Sequence, residues 1–301
     1  MSQSTELGVI SFVIGVLTGL TGVGGGAILT PALIFLGIPP LAAVSNDLVA
    51  SLVVKPFGAV VHGRRGTVEL RLLLWLCVGS VPAGFSGALL LALLPSPQAV
   101  NSVVRTLVGV TIGLTAILLA ITLHSRRRQP ASPDEEFRVR RRATVALGAI
   151  AGLLVGLTSI GSGSIIAAGL LLLYPRLATA RMVGTDVAHA VPLVGAATVG
   201  HLLFGQVHMS VAFPLIVGGV PGVLIGAYLA GRVPNTALRA GLTVLLAATA
   251  TTLLSSSVAL VLVITAATIA VLAGMTVLRG ERTRRNPLPP AGEGIGSRAD
   301  L

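Results

Sequence analysis

The stretch GLTGVGGG, residues 19–26, returns 137 positions later as GLTSIGSG, residues 156–163. Each copy sits in the middle of an apolar run, 7–36 in the first case and 144–174 in the second. A helix needs about 20 residues to cross a bilayer, so each run is too long for one upright crossing and too short for two. Gly22 to Gly26 and Gly161 to Gly163 supply the break that divides each run. Outward from the two copies the correspondence continues, with the offset becoming 139. Asp47 then meets Asp186, His62 meets His201, Gly66 meets Gly205, Pro82 meets Pro221 and Pro95 meets Pro234, while Gly79 and Gly87 meet Gly218 and Gly226. Hydrophobicity alone does not align Asp, His, Pro and Gly in order at one spacing. The chain is therefore two copies of one unit, a repeat over 1–123 and a repeat over 144–278, with a cytoplasmic linker expected at 124–143 and a disordered cytoplasmic tail at 279–301.

Composition gives the solvent. Only 10% of residues are charged and 53% are hydrophobic, with a mean hydropathy of +0.94. A soluble domain carries about 25% charged residues because its surface must face water. This chain needs an apolar solvent, and the lipid bilayer supplies one. The remaining apolar stretches, at 41–62, 69–94, 100–123, 182–204, 210–231, 237–254 and 256–278, each fit one crossing. The fold class expected is all-α integral membrane, a polytopic helical bundle. Met1 to Glu6 lack the positive charge of a secretory leader, so the first run is expected to stay in the protein. Cys77 is the only cysteine, which leaves no intrachain disulfide or cysteine metal site.

The net charge of +11 is carried by clusters between apolar stretches: Arg64 and Arg65, Arg126 to Arg128, Arg138 to Arg142, and Arg279 to Arg285. That is how cytoplasmic loops look under the positive-inside rule, and with 3% aromatic residues no nucleic-acid partner is expected. In the first half the arginines fall in the loop after 41–62. In the second half the equivalent loop, Phe204 to Met209, has none, and Arg176, Arg181 and Arg232 flank the other loops. The charge pattern has changed sides, the mark of inverted repeats. If each glycine-broken run is re-entrant, two half-helices of about 12 residues and about 18 Å, every arginine-bearing loop falls inside. The N-terminus is then outside and the C-terminus inside, in a multi-pass membrane protein. Long tilted helices are the alternative.

Non-helical backbone at membrane depth is tolerated where protein or a water-filled cavity satisfies it. A glycine turn bares N–H groups, and the helix that follows points its positive end at the same spot. Thr21, Gly22, Gly24, Gly25 and Gly26 would thus face Thr158, Ser159, Gly161, Ser162 and Gly163 as two donor-rich tips, a cradle for an oxyanion; close helix packing is the other use of such glycines. Ionisable residues inside spans are costly and mark function by default. Lys55, the only lysine, would attract the anion. Asp47, Asp186 and His189 are candidates for proton coupling, with His189 three residues beyond Asp186 on one helix side. His62 and His201 lie at span ends and are expected at the interface. The five histidines show no metal-binding spacing, so no metal site is expected. Gly79, Ala83 and Gly87, like Gly218, Gly222 and Gly226, are spaced for close helix approach, and Pro82 and Pro221 for kinks.

These residues carry a resemblance. Gly15-x-x-x-Gly19-Leu20-Thr21-Gly22-x-Gly24-Gly25-Gly26, then Pro31 and Leu36-Gly37-Ile38-Pro39, resemble the first signature of the TauE/SafE sulfite-exporter family. The turn from His62-Gly63 to Gly66-x-Val68 and the helix with Gly79, Pro82 and Gly87 are similar too, and the second-half copies extend the likeness over 7–278. The resemblance implies a permease of a bacterial inner (cytoplasmic) membrane for sulfite, sulfonates or other small anions, with no enzyme activity and no bound cofactor. The second copy departs from the pattern, with Ser159, Ser162 and Ser164 where the first has Gly22, Gly25 and Ala27. The expected function is secondary transport of a small anion, sulfur-containing by resemblance. An anion channel, transport of a different small solute, and a homo-oligomer are left open.

Overall fold

The structure, a computed structural model, describes residues 3–21, 24–124, 139–229, 235–255, 257 and 259–271. Most of the linker and all of the tail lie outside these residues, as do Gly22 and Val23 of the first glycine turn.

Every regular element described is an α-helix. The first half runs α1 (Gln3–Thr21), α2 (Gly26–Phe35), α3 (Pro40–Arg64), α4 (Leu70–Ala92) and α5 (Pro97–His124). The second runs α6 (Arg141–Thr158), α7 (Ile165–Leu173), α8 (Thr179–Phe204), α9 (Met209–Leu229) and α10 (Asn235–Leu254), followed by α11 (Ala259–Val271). Proline and glycine set the boundaries. Gly37, in a left-handed conformation at φ 85°, turns the chain after α2, and Pro40 opens α3 as its first residue. Ser96 accepts a bond from the Ala99 N–H at 3.2 Å and caps α5, whose first residue is Pro97. Seven helices, α1, α3, α4, α5, α6, α8 and α9, are long and apolar enough to cross a membrane. Their outward residues are large and apolar: Leu74 and Val78 on α4, and Phe213 and Val217 on α9, are all more than half exposed. Lipid, not water, is the solvent that such a surface fits. The protein is a multi-pass membrane protein.

Both glycine-broken runs divide where the sequence predicts, but unequally. The arms hold 19 and 10 residues in the first half and 18 and 9 in the second, rather than two arms of equal length. The long arms have long partners. Along α1 and α9, Gly8 lies beside Pro214, Gly15 beside Gly219, and Gly19 beside Val223 to Ala227, so the two run parallel. Along α6 and α4, Gly148 lies beside Leu76, Gly152 beside Ser80 and Gly156 beside Gly84, again parallel. A Cβ on Gly19 would stand 2.7 Å from the Ala227 nitrogen, and one on Gly152 2.6 Å from the Ser80 Cα. Such contact replaces the hydrophobic driving force that is missing between helices in lipid. Each half thus gives its first helix to the other half's fourth.

The two repeat-equivalent central helices meet one another. On α3 and α8, Ser45 lies beside His201, Leu48 beside Thr198 and Gly58 beside Val187, which makes them antiparallel. In contrast α3 and α9 are parallel, with Asn46 beside His208 and Val54 beside Gly219. Helix α1 therefore runs with α3, and α2, turned back into α3 through the Gly37 turn, runs against it. Helices α1 and α2 therefore run in opposite directions. Buried apolar residues fill two clusters. Val104, Val108 and Ile112 of α5 pack with Leu242 and Leu246 of α10 in one, and Leu7, Leu29, Leu33, Ala43 and Leu215 join α1, α2, α3 and α9 in the other.

Candidate functional site

The two glycine tips touch. A Cβ on Gly24 would run into the Ser162 carbonyl oxygen, and one on Gly26 into the Ser159 carbonyl oxygen. Backbone on backbone at the bundle centre is what the glycines allow. The second tip also needs left-handed geometry: Ser159, Gly161 and Gly163 have φ of 61°, 132° and 98°.

Helices α3 and α8 bring the ionisable groups to these tips. Asp47 is fully buried. Its Oδ2 accepts hydrogen bonds from Thr30 Oγ1 of α2 at 2.6 Å and from Ser159 Oγ of the second tip at 2.9 Å, and its Oδ1 one from Ser51 Oγ at 3.3 Å. Asp186, at the equivalent place, accepts from the Gly163 N–H at 3.3 Å, just ahead of α7. The positive ends of the two short helices thus face carboxylates of the protein itself. Lys55 Nζ donates to Ser162 Oγ at 2.7 Å and ties α3 to the second tip.

A cavity of about 190 Å³ opens between these groups. Gly24 and Gly25 from one tip, Ser162 and Gly163 from the other, Lys55, Asp47 and Asp186 all line it. Its remaining wall is largely apolar, with Ile14 of α1, Leu29 of α2, Val54 of α3, and Leu215 and Val223 of α9. One ammonium, two carboxyls and backbone from both halves share this one chamber.

Other expected residues stand apart from it. The Thr21 hydroxyl donates back to the Leu17 carbonyl at 2.7 Å and that of Thr158 to the Leu154 carbonyl at 2.6 Å. Gly26 and Ser159 hold the tips in contact, and Gly161 turns the second tip over Val155 and Ile165; none of the three lines the chamber. Gly22 lies outside the described residues. His189 does not meet Asp186: its Nε2 is hydrogen-bonded to Ser80 Oγ of α4 at 2.6 Å. Three positions along a helix rotate a side chain by about 60° net, enough to turn His189 to α4 while Asp186 faces the tip. His201 also departs from expectation, being fully buried rather than interfacial. Its Nε2 donates to the Gly156 carbonyl at 2.7 Å and its Nδ1 lies 2.8 Å from Ser45 Oγ, because α3 and α6 close over this end of α8. The side chain of His62 lies outside the described residues. Sequence reasoning missed Thr18, Thr30 and Ser51; of these only Ser51 carried a signal, four residues beyond Asp47 on the same helix face. Among the described residues no three His, Cys, Asp or Glu side chains converge as metal ligands do.

The chain is similar to known proteins. The family model described as Sulfite exporter TauE/SafE matches residues 7–253. The probable membrane transporter protein YjnA of Bacillus subtilis (strain 168) is 38% identical over 236 residues, which span 76% of this chain and 91% of that protein. From the same organism, the probable membrane transporter protein YdhB is 26% identical over 77% of this chain and 93% of its own length. The matched region takes in both glycine tips, Lys55 and the two aspartates, and the chain belongs to the TauE/SafE sulfite exporter family of membrane transporters.

Proposed function

We propose that this protein is a secondary transporter of a small oxyanion, sulfite or a sulfonate, which binds in the central chamber and moves together with protons. One observation carries the reading: the chain's only lysine and both repeat-equivalent aspartates line one cavity between the two glycine tips. Membership of a sulfite exporter family supports the sulfur-containing class. Lys55 supplies the charge that an anion needs in a low-dielectric site, and the tips supply polar backbone. With Lys55 and both carboxyls ionised the chamber is net negative and repels the substrate. A proton on Asp47 or Asp186 removes that repulsion, so anion and proton load together. Alternating access follows if one repeat rocks against the other. Inverted repeats are supported by the antiparallel order of α3 against α8. A re-entrant α1–α2 pair is supported by the way those two helices fold back on each other.

The test is flux of radiolabelled sulfite into proteoliposomes, with protein-free vesicles as background. Uptake is expected to saturate, to accelerate with an acidic exterior, and to fall at least about tenfold in Lys55→Ala. Saturable flux indifferent to the pH gradient removes proton coupling. Flux that does not saturate makes the protein a channel, and flux of wild-type rate in Lys55→Ala removes the lysine from the site.

A further inference from the structure

Thr18 differs from the threonines around it. In an α-helix a threonine hydroxyl is ordinarily satisfied by the carbonyl four residues back. Thr21, Thr158, Thr251 and Thr268 all follow this habit. The Thr18 hydroxyl oxygen is buried and has no hydrogen-bond partner among the described residues, and Thr18 lines the central chamber. A buried hydroxyl left unmatched is destabilising, so it is kept where something else completes it.

Its neighbour is fitted to keep it open. A Cβ on Gly25 would stand 3.3 Å from Thr18 Oγ1, so a side chain at 25 would crowd the hydroxyl against the first tip. The second repeat supplies an internal comparison. Counting back from the Gly19 and Gly156 pair, the counterpart of Thr18 is Val155, which is fully buried and lies against Gly161. Valine has the shape of threonine without the oxygen. Helix packing at this position therefore does not call for a hydroxyl, and the half that carries the hydroxyl is also the half that carries Lys55, whose counterpart is Val194. The threonine hydroxyl and the ammonium of the chamber both come from the first half of the repeated frame.

We propose that Thr18 is a substrate-binding residue, donating its hydroxyl hydrogen to one oxygen of the transported oxyanion while Lys55 supplies the opposing charge. The assignment rests on the anion-transport reading of the chamber. It adds a specificity element, since a hydroxyl set in an otherwise apolar stretch of wall favours ligands that present an acceptor there and penalises those that do not.

The experiment compares Thr18→Val and Thr18→Ser with wild type, measuring KM and maximal rate for radiolabelled sulfite and for methanesulfonate in proteoliposomes. Thr18→Val is expected to raise KM by about tenfold or more with the maximal rate within about twofold, because the lost contact is to a charged group. Thr18→Ser, which keeps the oxygen, is expected to restore KM to within about threefold of wild type. Unchanged KM in Thr18→Val beside saturable wild-type flux overturns the assignment alone. Absence of saturable wild-type flux for both anions overturns the transport reading and the assignment with it. Should Thr18→Val fail to give folded protein, Thr18→Ala against Thr18→Ser makes the same comparison.

Discussion

Asp47 and Asp186 hold equivalent places in the two repeats but not equivalent surroundings. Three hydroxyls from three segments close on Asp47, whereas Asp186 takes one backbone N–H. Removing the Asp47 carboxyl leaves the Thr30 and Ser159 hydroxyls stranded in the interior, so Asp47→Ala is expected to cost about 2–4 kcal/mol of stability. Thermal unfolding in detergent checks this, and an unchanged midpoint would show that the hydroxyls find other partners. Asp186→Asn keeps an acceptor for the Gly163 N–H and should cost less than about 1 kcal/mol. It fixes the group neutral, so saturable sulfite exchange is expected to survive while acceleration by an acidic exterior is lost. An Asp186→Asn protein still driven by the gradient places proton coupling elsewhere. The charged members of the site were legible in the sequence because Lys and Asp are out of place in an apolar run. Its hydroxyls were not. Serines and threonines recur throughout these helices, most of them folded back on their own carbonyls, and no spacing tells which one turns to a cavity.

At the scale of elements, glycine spacing announced close helix pairs but not which helices pair. That choice follows from how α1 and α6 cross into the other half, which no local pattern encodes. The unequal arms have the same origin: α1 and α6 extend along α9 and α4, while α2 and α7 end at the turns leading to α3 and α8. The interface gives a sharp prediction. Gly152 meets Ser80 backbone at a distance no Cβ tolerates, and backbone cannot move aside as a side chain can. Gly152→Val is expected to force α4 from α6 and to abolish monodisperse protein on size exclusion. Gly63, in the last turn of α3, has nothing within 4 Å of a built Cβ. Gly63→Ala should fold normally and gain up to about 1 kcal/mol from its better helix propensity. A well-folded Gly152→Val protein would mean that the α4–α6 contact is looser than the geometry here.

The orientation of the whole molecule turns on which loops share a face. Near-equal hydrophobicity of the two halves says nothing of direction, and the arginines alone suggested it. The packing supplies an independent argument. Arg181, near the start of α8, reaches Glu69 at the start of α4 at 3.4 Å, so the loop holding Arg65 and the loop holding Arg176 lie at one end of the bundle. Arg141 adds to that end, its guanidinium 5.1 Å from the Trp75 ring centre, an aromatic–cation pair of the kind found at membrane interfaces. Gln3 opens α1, which runs parallel to α3 and α9, so Gln3 and His208 belong to the opposite end. In a Cys77→Ala background, single cysteines at Arg65 and Arg176 are therefore expected to react with a membrane-impermeant maleimide only from the cytoplasmic side. Cysteines at Gln3 and His208 should react only from the outside. The test separates two layers of the argument. Exchange of all four sides would keep the packing and reverse the positive-inside assignment. Arg65 and Arg176 on opposite sides would contradict the packing itself, because the ion pair at Glu69 could not then span the membrane. Since the chamber draws its tips from both halves, that outcome would also dismantle the site, and with it the anion reading of Lys55.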